Sequence, residues 1–260
     1  MIDGRYIYAV VLIPPTDETY GDPPKSLGNT GIGGRGDEIY LLQHNSIGAF
    51  VSASPVAPYQ TSRENLLAHE RALEAAMKYY ILLPMQFSMI AESELDVMNL
   101  LRREYDKLVV ELERFRGRKE LGLKAIFHES IFQDILATNQ AIQKKKAEIE
   151  RSGMSQSALI EIGKMVEAAL ASERDRYRDD ILSILSPLAE ETKINKTFGD
   201  RMVLNVSFLV TAEQEDAFDQ KVNELDEVYS KKMKFKYVGN VPPYNFVRLA
   251  LSLKNDSQPV

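Results

Sequence analysis

The chain has 260 residues, no cysteine, 38 acidic against 32 basic side chains (net charge −6), and is 44% hydrophobic and 27% charged. That length suits two domains of ordinary size and buries enough apolar surface to fold without a disulfide or metal staple. The absent cysteines exclude thiolate catalysis and cysteine zinc sites and fit a reducing cytoplasm, while the acidic balance argues against a nucleic-acid partner.

Tyr6–Ile13 is apolar on both alternating faces, as in a central strand covered on both sides. It is far shorter than the ~20 residues a membrane span needs, and no small-residue cleavage site follows it, so neither a membrane nor a secretory role is expected. Pro14–Gly36 holds six of the fourteen glycines and four of the eleven prolines, which predicts a long mobile surface loop. Asp37–His44 and Ile47–Ser54 read as strands joined by a turn at Asn45-Ser46. Thr61 and Glu64 have capping-box spacing and predict a helix to about Tyr80. A strand broken by Pro84 covers Tyr80–Ile90. Glu92–Arg116 reads as one helix with the stripe Leu95, Met98, Leu101, Tyr105, Leu108, Leu112 and Phe115. Gly117 ends it and marks the domain boundary.

A strand at Glu120–His128 opens the second half. Two long helices, Ser130–Arg151 and Ser155–Ser186, carry facing stripes (Ile135, Ile142 and Ile149; Ile162 to Ile184), which predict an antiparallel hairpin. A β-hairpin turning at Gly199-Asp200 leads into Met202–Val210. Thr211 and Gln214 cap a helix with the stripe Phe218, Val222, Leu225 and Val228 or Tyr229. Strands at Lys234–Gly239 and Phe246–Leu253 follow, and Lys254–Val260 is a polar tail expected to fray. The fold class is therefore α+β in two domains, 1–116 and 117–253. The second is a modified ferredoxin-like fold with an inserted long helical hairpin.

No constellation supports catalysis, a cofactor or a metal. Gly31-Ile-Gly33-Gly-Arg-Gly36 spells the dinucleotide fingerprint, but that chemistry needs a preceding strand and a following helix N-terminus, where this segment follows a proline-rich loop and enters a strand. It reads as a flexible linker. His69-Glu70 begins like a zinc-protease helix, yet position 73 is Leu where a second His is required. Lys144-Lys145-Lys146 is followed by Glu148 and Glu150 and reads as a solvated helix face. Val241-Pro242-Pro243-Tyr244-Asn245-Phe246 is the most unusual string: two fixed φ angles and two aromatic rings suit a rigid entry into the last strand, with Tyr244 closing the C-terminal core, or a docking surface.

At this string the chain resembles the gas vesicle protein F/L family, which closes on a Gly-Pro-Trp-Pro-Pro-Tyr-Ser-Phe-like motif; Gly239, Pro242, Pro243, Tyr244 and Phe246 match it. The similarity continues at Tyr6-Ile-Tyr8, His69-Glu70, Leu83-Pro84-Met85-Gln-Phe87, Glu120-Leu-Gly-Leu-Lys124 and Leu204–Val210. Ser88 departs, where the family often has glycine. The resemblance implies two α+β domains and a non-catalytic accessory or minor structural protein of the gas vesicle. Its partners would be the small hydrophobic shell protein GvpA and other accessory proteins. The rival classes are a small-molecule-binding regulatory domain and an enzyme on a ferredoxin-like scaffold.

Overall fold

The computed structural model describes residues 3–15, 23–153, 155–249 and 251–253. The polar tail and positions 16–22 of the proline-rich segment lie outside them. The fold is α+β, and the chain divides into two compact units: Met1–Lys119 with Val241–Val260, and Glu120–Asn240.

The first unit is built on one sheet. Its strands are β1 (Asp3–Leu12), β2 (Ser26–Gly28), β3 (Ile39–His44), β4 (Ile47–Pro55), β5 (Ile81–Pro84) and β6 (Ile90–Ala91), in the order β2-β3-β4-β1-β5 with β6 also on β1. As its doubly apolar pattern predicts, β1 is central. A bulge between Ile7 and Ala9 shifts its register against β4, so Tyr6, Tyr8, Ala9 and Val11 share one core with Ile32, Phe50, Leu73 and Ala76. The last two belong to α1 (Arg63–Met77), whose cap is Ser62 rather than the neighbouring Thr61; its Oγ accepts from Asn65 N at 3.2 Å.

The single helix expected at Glu92–Arg116 is two, α2 (Glu94–Arg103) and α3 (Tyr105–Arg114), because Glu104 adopts φ −101° and ψ 11° and interrupts the ladder. Leu95, expected on the apolar stripe, is exposed, while Val97, Leu101, Leu108 and Leu112 are buried.

The expected mobile glycine loop is, from residue 23 onward, docked structure. Ile32 is fully buried and its N–H donates to Tyr8 Oη at 2.8 Å. Gly33 has φ +85°, and a Cβ there would come within 2.8 Å of the Tyr59 ring. At Gly33, then, glycine is demanded by the close approach of backbone to ring.

The second unit has β7 (Arg118–Phe127), α4 (Ile131–Thr138), α5 (Gln140–Ser152), α6 (Gln156–Leu185), β8 (Glu191–Ile194), β9 (Met202–Thr211), α7 (Glu215–Tyr229) and β10 (Met233–Val241). Its sheet order, β10-β7-β9-β8, with helices in both crossovers, is the ferredoxin-like arrangement. The helical hairpin is present as α5 and α6, with α4 ahead of it. Asn139 separates α4 from α5 and caps the latter, its Oδ1 accepting from Ala141 N and Ile142 N. Ile135, Ile142, Leu170, Tyr177 and Ile181 join Phe127, Phe208, Phe218 and Phe235 in the core. Gln214 makes no side-chain cap for α7. At the stripe's open end, Tyr229 packs on the core and Val228 is exposed.

No strand forms at Phe246–Leu253 among the described residues, and the Pro-Pro-Tyr string belongs to the first unit, not to the second, where the expected domain 117–253 had it. The reason is local. Two adjacent prolines withhold the N–H groups a ladder needs, and the next N–H groups are spent in turns, Tyr244 N to Pro242 O at 2.7 Å and Phe246 N to Pro243 O at 3.1 Å.

Candidate functional site

The family-like residues of the first unit converge on one buried cluster. The period of two places Tyr6 and Tyr8 on the same face of β1, and α1 lowers His69 between them. Tyr6 and Tyr8 ring centroids are 4.8 Å apart, and His69 stacks on Tyr8 at 5.8 Å. Tyr59 and Phe87 meet Tyr6 edge-on.

Tyr6 Oη accepts from Ser88 N at 3.0 Å and shares a hydrogen bond with His69 Nδ1 at 2.9 Å. The other ring nitrogen, Nε2, faces the Met85 backbone without a hydrogen bond of normal geometry. Burial pushes the imidazole down to about 4, the Met85 backbone opposing the shift. Tyr8 Oη accepts from Ile32 N at 2.8 Å and shares a hydrogen bond with Ser52 Oγ at 3.0 Å. Each tyrosine therefore ties β1 to a loop. Burial raises both phenols above their ordinary range, their backbone donors opposing it.

Ser88 explains its own departure from the family pattern. Its φ is +67°, a left-handed conformation that glycine adopts freely. Here the serine Oγ accepts from Tyr59 N at 2.9 Å, a bond glycine lacks.

The C-terminal string is fastened by a second polar group that sequence reasoning missed. Glu111 on α3 is buried and accepts from Arg114 at 2.9 and 3.2 Å and from Arg248 N at 2.8 Å; Arg114 also donates to Phe246 O. Burial alone would push the Glu111 carboxyl up, but Arg114 and the Arg248 N–H outweigh it and hold the group below the usual carboxylate range. The available signal was an acid and an arginine three apart, bordering the apolar stripe. Pro242, Pro243 and Phe246 are buried, whereas Tyr244 keeps 46% of its surface open. The expected closing role thus falls to Phe246 and the prolines. The Tyr244 phenol is nonetheless raised by desolvation, with the Glu70 charge adding to it, so its oxygen is crowded while nearly half the residue stays available. Gly239 precedes the string on β10.

Among the described residues no group of three or more His, Asp or Glu could hold a metal. No helix there is long and apolar enough to cross a membrane. His44 and His69 stand on β3 and α1, and His128 follows β7. The polar atoms of the tyrosine–histidine cluster pair with one another, with Ser52 and with the backbone.

Fold and motif together define a class: an α+β chain with a ferredoxin-like second unit and a Pro-Pro-Tyr segment clamped by Glu111 and Arg114 within the first. The family model described as gas vesicle synthesis protein GvpL/GvpF matches residues 4–248. Gas vesicle protein F of Nostoc sp. is 28% identical over 96% of this chain and 100% of its own length. Gas vesicle protein L of Streptomyces sp. is 26% identical over 95% and 93%. The crystal structure of GvpF from Anabaena sp. superposes with a TM-score of 0.79 at 25% identity, covering 95% of this chain and 99% of that one. That of GvpF from Microcystis aeruginosa, 22% identical, shares the fold with a TM-score of 0.73 over 96% and 100%. The chain belongs to the GvpL/GvpF family of gas vesicle proteins.

Proposed function

We propose that this protein is a non-catalytic gas vesicle accessory protein that binds the shell protein GvpA and assists vesicle assembly within the cytoplasm. The observation that carries the reading is the family match across residues 4–248. Its physical rationale is that a small apolar shell subunit aggregates before incorporation unless its surface is covered. Apolar side chains that no core claims support it: Tyr244 in the closing string, and Leu159 and Ile160, which stand 52% and 54% open near the start of α6. Long helices offer grooves to an amphipathic partner.

The test is co-purification of GvpA from a minimal gas vesicle operon at low and high salt. Apolar contact is weakly screened, so capture is expected at both. Tyr244→Ala and Leu159→Glu/Ile160→Glu are expected to lower capture with an unchanged denaturant midpoint. If the intact protein captures no shell subunit at either salt while vesicles still require it, direct binding is refuted.

A further inference from the structure

The second unit's sheet has one face against its helices; on the other, Glu120, Ser207 and Leu209 are buried, and the open part lies on β7 and β10 beyond them. On β7, Leu121, Leu123, Ala125 and Phe127 enter the core, and on β10 Met233, Phe235 and Tyr237 do. The alternation therefore sends Lys124 and Ile126, and Lys234, Lys236 and Val238, to the other side. All three lysines are exposed. His128 N donates to Lys232 O at 3.0 Å, and a Cβ on Gly122 would lie 3.9 Å from Val238 O. Both approaches fit one antiparallel register, which sets Lys124 opposite Lys236 and Ile126 opposite Lys234.

Like charges directly opposite on neighbouring strands destabilise a sheet. Among the described residues none of these three lysines has an acidic partner, although Lys145, Lys221 and Lys232 in the same unit reach Glu161, Glu224 and Asp134. An unneutralised basic face on a chain of net charge −6 is a local feature with a stability cost. We infer that the open face formed by Lys124, Lys234 and Lys236, with Ile126 and Val238 between them, docks an acidic segment of a protein partner that alternates carboxylates with apolar residues. Charge complementarity supplies the orientation, and the interleaved aliphatic groups supply contact area. Nucleic acid fits less well, since no aromatic ring stands at the open-face positions of β7 and β10 to stack a base.

The inference goes beyond shell-protein binding and does not depend on it. The experiment uses the full chain with a labelled synthetic peptide of alternating Glu and Val, read by fluorescence anisotropy at low and physiological salt. A Lys–Val peptide controls for charge, and a single-stranded oligonucleotide of matched charge represents the rival class. The acidic peptide is expected to bind, more weakly with salt. The Lys124→Glu/Lys234→Glu/Lys236→Glu variant should bind it roughly tenfold or more weakly, as three lost charge contacts imply, with an unchanged melting temperature. Val238→Ala should weaken it about twofold to fivefold, less than the charge reversal. No binding by the parent, equal binding by the charge-reversed variant, or preference for the oligonucleotide overturns the inference. None of these outcomes bears on GvpA capture, because the probes contain no vesicle component.

Discussion

The two units solve the same packing problem with different chemistry. In the second, the core is carried by aliphatic and phenyl groups such as Leu123, Ile181, Phe208 and Phe218. In the first, two tyrosines and a histidine pack together on the central strand, the phenols bonded to His69, Ser88, Ser52 and Ile32. An apolar core is indifferent to pH and tolerates reshaping within its volume. A hydrogen-bonded core specifies which loop lies where, and it fails when one partner is lost or protonated.

That contrast can be broken from either side, with peptide-resolved hydrogen exchange reading each unit separately. Phe208→Ala has the largest expected effect, about 3–5 kcal/mol, equal at neutral and mildly acid pH and confined to exchange in residues 120–240. Equal loss of protection in the first unit would show that the two do not respond independently. Next comes pH itself. His69 has a folded value of about 4 against an ordinary 6.5, so between those values the unfolded chain binds the extra proton and stability falls as pH falls. The first unit should lose roughly 3 kcal/mol across that window, and His69→Gln should flatten the slope. Glu111, held below its ordinary range, adds a loss in the same direction at still lower pH.

Tyr6→Phe sharpens the comparison further. It keeps the ring and strands Ser88 N–H and His69 Nδ1, at an expected cost of about 1–3 kcal/mol; a denaturant midpoint equal to the parent's would mean that water replaces the hydroxyl. Ser88→Gly is the smallest change. It relieves a strained φ of roughly 1–2 kcal/mol and loses the bond to Tyr59 N, worth about 1 kcal/mol, so the net should lie within ~1 kcal/mol. A loss well beyond that would place the serine hydroxyl above the backbone strain.

Strand and helix identities were legible because each depends on a short-range period: β1, β9, α6 and α7 lie where alternation or a 3.6 repeat put them. Breaks within a helix were not. The apolar repeat continues through Glu104 and Asn139, and nothing in its phase signals that the ladder stops there. Tyr6, Tyr8 and His69 were visible as family-like residues, but their mutual hydrogen bonds join positions 63 apart in sequence for Tyr6 and His69, which no local pattern encodes. The glycine segment was misread for a related reason. Glycine signals only permission for unusual backbone, and whether that serves mobility or a tight approach depends on a distant side chain, here Tyr59.

The placement of Val241–Val260 with the first unit also bears on how the chain is made. The first unit is discontinuous in sequence, and the whole of Glu120–Asn240 is translated before the Pro-Pro-Tyr segment leaves the ribosome. At ~5–20 residues per second that interval is on the order of 6–25 s. During it, Glu111 and Arg114 lack the backbone groups of Phe246 and Arg248 that they later hold. The second unit, continuous in sequence, reaches its full set of partners first. The nascent first unit waits with its clamp open until Phe246 and Arg248 emerge.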